Sequence, residues 1–158
     1  MNAATPQLTD TVVTFAQQLS STRRGARLAR LLAMERLTAW EMAPGAVERA
    51  EHVVAELVSN AALHGRVQGR DFLLALTLDN AAGTLRIAVS DTRGESRPAI
   101  PPERAADAES GRGLLLVDAL ADRWGTDPRP PSGKTVWAEI DQHRERPTTP
   151  DRHGGRCS

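Results

Sequence analysis

Apolar residues recur along two segments of this chain at the spacing of a single helix face. Residues 23–40 mix apolar and charged positions at near-helical spacing, which predicts a first helix. Residues 46–63 carry one apolar stripe, which includes Leu57, and predict a second helix. Pro44 and Gly45 lie between the two patterns and predict a break in the chain at that point.

Shorter apolar runs predict the strands. The runs 72–78 and 84–90 are almost continuously apolar and flank a turn-like stretch at 80–83, so they predict a buried hairpin. The run at 11–19 fits a strand, although a helix stays open for it. A further strand, a turn and a last strand are predicted at 122–126, 127–133 and 134–141.

A segment without apolar periodicity separates the hairpin from the rest of the chain. Residues 91–110 contain three prolines and many charges, which predicts a long loop of the kind that often forms a lid. A short helix is predicted after it, at 113–121. The element order β-α-α-β-β-loop-α-β-β lacks regular βαβ alternation. It predicts an α+β fold, a two-layer sandwich with helices on one face of a mixed, mostly antiparallel sheet.

Length and composition limit the classes of protein to which this chain can belong. The 158 residues suit one domain, expected at 11–141, with polar and disordered ends at 1–10 and 142–158. Equal numbers of basic and acidic residues, 20 of each, argue against nucleic acid and anionic membrane as partners. The single cysteine, Cys157, excludes an intrachain disulfide, and we find no signal peptide and no apolar run of membrane length. We therefore expect a soluble cytoplasmic protein.

Polar residues recur on one face of the second predicted helix. Glu56, Asn60 and His64 follow one another at i, i+4 steps and so share that face. An amide oxygen can ligate Mg²⁺ beside phosphate oxygens, and a carboxylate can accept the proton of an attacking hydroxyl group. An isolated pattern of this kind more often marks a solvated helix face, and a histidine at a helix end is more often structural. The context of the pattern therefore decides between these interpretations.

Two further candidates stand at strand ends. Asp91 follows the run TLRIAVS directly, where a carboxylate can accept a hydrogen bond from the exocyclic amine of adenine or can simply form a turn. Gly133, Lys134 and Thr135 open the last predicted strand. The hydroxyl or ammonium group of this motif could contact a nucleotide, and an ordinary turn followed by an edge strand is the alternative.

A glycine-containing motif stands between the long loop and the third predicted helix. It consists of Gly111, Arg112, Gly113 and Leu114. Glycines let backbone N–H groups approach phosphate, and a helix N-terminus favours negative charge. An ordinary hinge is the alternative for so short a motif. Neither a P-loop nor a dinucleotide fingerprint occurs in the chain.

The order of these motifs resembles the Bergerat ATP-binding fold of the GHKL ATPase superfamily. The closer likeness is to the anti-sigma regulatory serine/threonine kinases in their short actinobacterial form. This likeness rests on the sequence motifs SNAALHG, GRGLLLVDALADRWG and GKTVWAEI. It covers about residues 11–141. The resemblance implies ATP and Mg²⁺ as ligands.

The resemblance also implies a role for each candidate residue. The glutamate that matches Glu56 acts as the general base toward a serine of a partner protein. The asparagine that matches Asn60 holds Mg²⁺ against the phosphates, and the aspartate that matches Asp91 reads the adenine amine. Thr135 would support the adenine pocket.

The glycine motif would close on the nucleotide. Gly111 and Gly113 would let the backbone approach the phosphates, with Leu114 opening the helix behind them. Arg112 could face phosphate or solvent. The predicted cofactor-binding residues therefore also include this motif at 111–114.

One motif departs from the family pattern. The expected D-x-G-x-G is replaced by Asp91, Thr92, Arg93 and Gly94, so that Gly94 comes one position late. We still assign Gly94 to the nucleotide site, and Arg93 could fill or reshape part of the adenine pocket. The departure predicts weaker ATP binding than in the family pattern.

The partner implied by the resemblance is a protein. The leading interpretation is an ATP-dependent kinase of a serine or threonine on an anti-anti-sigma protein of the STAS type, with a sigma factor as a possible second partner. A homodimer is also possible, because related kinases often dimerise. The alternative is a regulator that docks a partner without catalysis and has weak or lost ATP binding.

Overall fold

The computed structural model describes residues 11–64, 70–91, 110–129 and 133–143. These residues form five strands and three helices. In chain order they are β1 (Val12–Ser20), α1 (Arg23–Ala39), α2 (Pro44–His64), β2 (Asp71–Asp79), β3 (Thr84–Asp91), α3 (Ser110–Leu120), β4 (Arg123–Arg129) and β5 (Gly133–Asp141).

The strands form one sheet in the order β1-β2-β3-β5-β4, and every neighbouring pair is antiparallel. Because β3 and β4 are both antiparallel to β5, they run in the same direction on either side of it. β4 and β5 follow each other along the chain and pair with each other. β5 also pairs with β3, which comes before α3 in the chain. The predicted two-layer α+β fold with an antiparallel sheet is confirmed.

Strand alternation directs one face of the sheet toward the helices. Leu74, Leu76 and Leu78 on β2 are buried, and so are Leu85 and Ile87 on β3. Their cross-strand pairs, such as Leu76 with Ile87, keep the apolar side chains on one face. Helices α1 and α2 pack together, and α2 also packs on β3 and β5, so the core lies between the two layers.

The N-terminal boundary of α2 differs from the prediction. We expected a break at Pro44 and Gly45, but both residues lie in the first turn of the helix. The carbonyl of Ala43 accepts hydrogen bonds from the amides of Ala46 at 3.0 Å and Val47 at 3.0 Å. Proline is well suited to the first helical position, because its missing N–H has no partner there in any case.

The segment predicted as a turn at 127–133 is partly strand. β4 continues through Asp127 and Pro128 to Arg129 and pairs with β5 along its whole length. Proline cannot donate to a ladder, but β4 lies at the edge of the sheet, where one side of the strand needs no partner. The third helix also begins earlier than predicted, at Ser110.

The predictions for the chain ends fall mainly outside the described residues. Residues 1–10 and 144–158, expected to be disordered, belong to that part, and so does the expected lid over 92–109. Within the described part, no helix combines the length and the apolar character that crossing a membrane requires.

An arginine of α2 ties that helix to the ends of two other elements. Arg49 donates to the carbonyl of Asp141 at 2.7 Å and to the carbonyl of Leu120 at 3.3 Å, and it lies 3.4 Å from the carboxylate of Asp122. The same carboxylate accepts from the amide of Asp141 at 2.7 Å. This network sets the position of α2 relative to the C-terminal ends of α3 and β5.

A second charged cluster joins β4 to β5, and it predicts that the folded state loses stability at acid pH. Arg123 donates to both carboxylate oxygens of Asp141, at 2.7 and 3.1 Å, and Thr84 donates to the same group at 2.8 Å. The hydrogen bonds from Arg123 are the main reason that the pKa of Asp141 is lowered, and partial burial opposes them. Because the pKa is lower in the folded state, this stabilisation is present at neutral pH and is lost as the pH falls through the folded-state pKa.

We expect Asp141→Asn to lower the free energy of unfolding at pH 7 by no more than about 1 kcal/mol, since the pair keeps contact with solvent. The difference from the wild type should shrink as the pH falls below the ordinary aspartate pKa of about 3.9. Thermal unfolding measured over this pH range checks the expectation, with Glu35→Gln on the exposed side of α1 as the control. A difference that grew toward acid pH would contradict it.

Candidate functional site

Helix α2 presents polar side chains on a face that is not fully covered. Val53, Val54, Leu57 and Val58 are buried under the sheet. Glu56, Ser59 and Asn60, by contrast, are half-buried. Glu56 and Asn60 are one turn apart and therefore adjacent along the same face. The helix thus holds a carboxylate and a carboxamide beside each other at the boundary of the core, as the sequence predicts.

Asp91 ends β3 on the side of the sheet that carries the helices. Its Cα partner on β2 is Phe72, which is fully buried, and Asp91 follows the alternation of Ile87 and Val89. Since α2 packs on β3, the side chain of Asp91 lies on the same side of the sheet as α2. Asp91 itself is half-buried.

A pair of hydroxyl groups lies one residue from Asp91 along the strands, on the opposite face of the sheet by strand alternation. Ser90 and Thr135 are Cα partners across β3 and β5, and their side-chain oxygens are 2.8 Å apart. Ser90 is 8% exposed, and among the described residues it is the one polar residue that is buried. Thr135 was predicted as a site residue, whereas Ser90 was not. The signal available in the sequence was a single polar residue closing an otherwise apolar strand.

Gly133 begins β5 directly against Asp91. A Cβ atom added to Gly133 would lie 2.6 Å from the backbone carbonyl oxygen of Asp91, closer than real Cβ contacts allow. The absence of a side chain therefore permits β5 to start beside the end of β3. Sequence reasoning saw Gly133 only as the first residue of a motif and missed this contact, because the two residues are far apart along the chain.

We expect Gly133→Ala to destabilise the protein by about 1–3 kcal/mol, since the new methyl group must push the Asp91 backbone away. Gly45→Ala is a matched control, because nothing lies within 4 Å of a Cβ at that helical position. The control should be neutral or stabilising by up to about 1 kcal/mol. Chemical denaturation of both variants gives the comparison, and equal stability of the two would contradict the close approach.

The remaining predicted residues lie in or near α3. Gly111, Arg112 and Gly113 belong to the first turn of this helix, and Leu114 follows them as a half-buried residue. Helix α3 packs on α2, the helix that carries Glu56. The first-turn amides of a helix lack intrahelical acceptors, so this end of α3 offers backbone donors to a ligand.

Two of the predicted positions lie outside what the structure describes. Gly94 lies outside the described residues. His64 is the last residue of α2, and its side chain is not part of the description. Among the described residues, no group of three or more His, Cys, Asp and Glu side chains is arranged to hold a metal ion.

Comparisons with known proteins agree with this architecture. The model of the histidine kinase-like ATPase domain matches residues 19–140. A solved structure of the RsbU and RsbW domains of Rv1364c from Mycobacterium tuberculosis superposes with a TM-score of 0.60, at 22% identity, over 81% of this chain and 31% of that chain. At that identity the likeness establishes the fold.

A relative in Streptomyces coelicolor, the uncharacterised protein SCO4941, is similar to a smaller part of the chain. The two are 42% identical over 48 residues, which are 30% of this chain and 46% of that protein. This chain thus spans less than half the length of each of these two similar proteins.

Proposed function

Because this chain belongs to the histidine kinase-like ATPase domain family, we propose that it is an anti-sigma-factor-like regulator that uses ATP to phosphorylate a partner protein. The substrate would be a serine or threonine of an anti-anti-sigma protein of the STAS type. The observation that carries the proposal is the pair Glu56 and Asn60, half-buried side by side on a helix whose other face is core. The motif phrases around Asn60 and in α3 support the choice of regulatory family.

The described residues fit an adenine nucleotide at the end of β3. The carboxylate of Asp91 can accept a hydrogen bond from the exocyclic amine of the base. Gly133 packs directly against the Asp91 backbone and so fixes the end of β3, whereas the hydroxyl pair of Ser90 and Thr135 lies on the other face of the sheet by strand alternation.

Asn60 would hold Mg²⁺ in this proposal. Magnesium commonly takes one or two protein ligands and completes its shell with phosphate oxygens and waters. A single carboxamide on α2 meets that requirement without a cage of acidic side chains. The first turn of α3, with Gly111 and Gly113, would supply backbone donors to the phosphates.

Glu56 would act on the partner's hydroxyl group. ATP, when bound, supplies the phosphoryl group that is transferred. The oxygen of the partner's serine forms a bond to the γ-phosphorus as the bond from that phosphorus to the β,γ-bridging oxygen breaks, and ADP leaves. Glu56 accepts the serine proton, and positioning with charge neutralisation provides most of the acceleration.

A docking regulator without catalysis is the second candidate. The observation that favours it is the replacement of the expected D-x-G-x-G by Asp91, Thr92, Arg93 and Gly94. Arginine thus stands where the family pattern has its first glycine, and this departure predicts weaker ATP binding. Under this alternative the domain would bind a partner protein with weak or lost ATP binding.

Calorimetry of the full chain with ATP, in the presence and absence of Mg²⁺, tests the proposal. Binding that requires Mg²⁺, followed by phosphate incorporation into a serine-bearing STAS protein, is the expected result. Binding without transfer to any such partner would remove the kinase assignment. No binding at millimolar ATP would favour the docking regulator.

A further inference from the structure

Strand β5 presents Lys134 on the side of the sheet that carries the helices. Ala138 and Ile140 of the same strand are buried on that side, and side chains alternate along a strand. Even-numbered residues of β5 therefore face the helices, whereas Thr135 contacts Ser90 on the opposite face. Of the two polar groups at the start of β5, the ammonium group and not the hydroxyl group lies on the side of the proposed nucleotide site.

The register of the sheet places Lys134 opposite Asp91. The pairing of β3 with β5 runs to Ser90 and Thr135, so Asp91 and Lys134 are the next opposite residues. The close approach of Gly133 to the carbonyl oxygen of Asp91 agrees with this register. Opposite residues on one face of an antiparallel pair have Cβ atoms about 4.5–5.5 Å apart. A carboxylate and an ammonium group can therefore reach the same ligand.

The ammonium group of Lys134 is available to a ligand. Its side chain is exposed, and it makes no hydrogen bond or ion pair with any other residue that the structure describes. The residue that faces it from β4 is Pro128, which carries no charge. Lysine has three donors and no acceptor on a flexible stem. The group can therefore turn toward whichever ligand atom accepts a hydrogen bond.

The two purine bases differ in the donors and acceptors along their edges. Adenine carries an amine donor at N6, whereas guanine carries a carbonyl acceptor at O6. A carboxylate only accepts hydrogen bonds, so Asp91 alone favours adenine and repels the carbonyl of guanine. An ammonium group beside the carboxylate supplies the donor that this carbonyl needs, while the carboxylate can accept from the N1–H of the same ring. The pair of Asp91 and Lys134 therefore suits either base.

We propose that Lys134 is a base-recognition residue and that it lets this chain bind guanine nucleotides as well as ATP. The inference rests on the proposed nucleotide site and extends its ligands from one purine to both. GTP with Mg²⁺ should bind with an affinity within about 10-fold of that of ATP, because each base keeps a hydrogen bond to a charged side chain. Calorimetry of the full chain with each nucleotide measures the two affinities.

Substitution of Lys134 by methionine tests the donor. Lys134→Met keeps most of the apolar stem and removes the ammonium group, so guanine loses its donor while adenine keeps Asp91. The affinity for GTP should fall about 5-fold to 150-fold further than the affinity for ATP. Arg129→Met is the matched control, because Arg129 is also an exposed cation at this end of the sheet but lies on the opposite face. It should leave the ratio of the two affinities unchanged.

A second measurement uses the native residue, because Lys134 is the sole lysine of the sequence. Reductive methylation with ¹³C-formaldehyde labels its amine, besides the amino terminus, and keeps the positive charge. The methyl signal of Lys134 is the one that is absent from the spectrum of Lys134→Met. This signal should shift when either nucleotide is added, and the shift should saturate at the concentrations that calorimetry gives for binding.

The possible outcomes distinguish failure of this inference from failure of the proposed function. GTP binding more than about 150-fold weaker than ATP binding would overturn the role of Lys134 and leave the ATP site intact. Binding of both nucleotides without movement of the methyl signal would have the same meaning. An equal loss of ATP and GTP affinity in Lys134→Met and in Arg129→Met would show that these cations only attract the phosphates, which also contradicts base recognition. Binding of neither nucleotide would overturn the nucleotide site together with this inference.

Discussion

Glu56→Gln should lower phosphoryl transfer to the partner protein by about 10²–10⁴-fold and leave ATP affinity unchanged. Glutamine keeps the size and the half-buried position of the side chain on α2 but cannot accept the proton of the attacking hydroxyl group. Because the carboxylate acts only as the proton moves, its loss should appear in kcat and spare KM. The measurement is single-turnover phosphate transfer together with calorimetric ATP binding.

Glu51→Gln is the matched control for this experiment. Glu51 belongs to the same helix, but it is exposed. It should transfer phosphate at the wild-type rate. Transfer at the wild-type rate by Glu56→Gln as well would show that Glu56 is not the base, even if ATP binding were intact.

Asp91→Asn should weaken ATP binding by about 30-fold to 1000-fold, which corresponds to about 2–4 kcal/mol. The substitution replaces an acceptor-only carboxylate with an amide that can present a donor to the adenine amine, so that the hydrogen bond is lost or reversed. The approach of Gly133 involves only the backbone of Asp91, so the end of β3 should keep its position in the variant. Calorimetric titration with ATP measures the change.

Asp79→Asn provides the control for Asp91. Asp79 stands at the opposite end of the same hairpin, where its carboxylate accepts from the turn amides of Ala81 and Ala82, and asparagine retains an acceptor there. Its ATP affinity should equal that of the wild type. Asn60→Ala should differ from both, because loss of the proposed Mg²⁺ ligand should weaken the ATP binding that depends on Mg²⁺. Unaltered ATP affinity in Asp91→Asn would exclude Asp91 from the adenine site.

The two substitutions separate binding from chemistry. Loss of transfer with retained binding in Glu56→Gln, and loss of binding in Asp91→Asn, is the pattern of a kinase. If neither substitution affected partner binding and no transfer occurred in the wild type, the docking regulator would be the better description. The same measurements therefore distinguish the kinase from the docking regulator.

Local periodicity was enough to predict most of the elements and part of the site. The apolar stripe through Leu57 defines α2 because only one helix face can meet the sheet. The same spacing places Glu56 and Asn60 side by side, since residues four apart are neighbours on any helix. The hairpin of β2 and β3 also followed from two apolar runs and a short turn, and both predictions depend on contacts between residues close in sequence.

The residues at which helices and strands begin and end were harder to predict from the sequence. Pro44 suggested a break but suits the first helical turn, where its missing N–H needs no acceptor. Pro128 suggested a turn but lies within β4, because an edge strand leaves one side of its backbone unpaired. In each case the same residue is compatible with two local structures, and its surroundings in the fold select one of them.

The sequence by itself therefore determined most of the helices and strands and the polar face of α2, whereas residues 11–19 stayed open between strand and helix. Tertiary structure decided the contacts around the end of β3: the insertion of β5 between β3 and β4, the hydroxyl contact of Ser90 with Thr135, and the approach of Gly133 to Asp91. The contacts between β3 and β5 join residues more than 40 positions apart, such as the 45 that separate Ser90 from Thr135. Local periodicity cannot specify such pairs, because strand order and register are set by packing of the whole sheet against the helices.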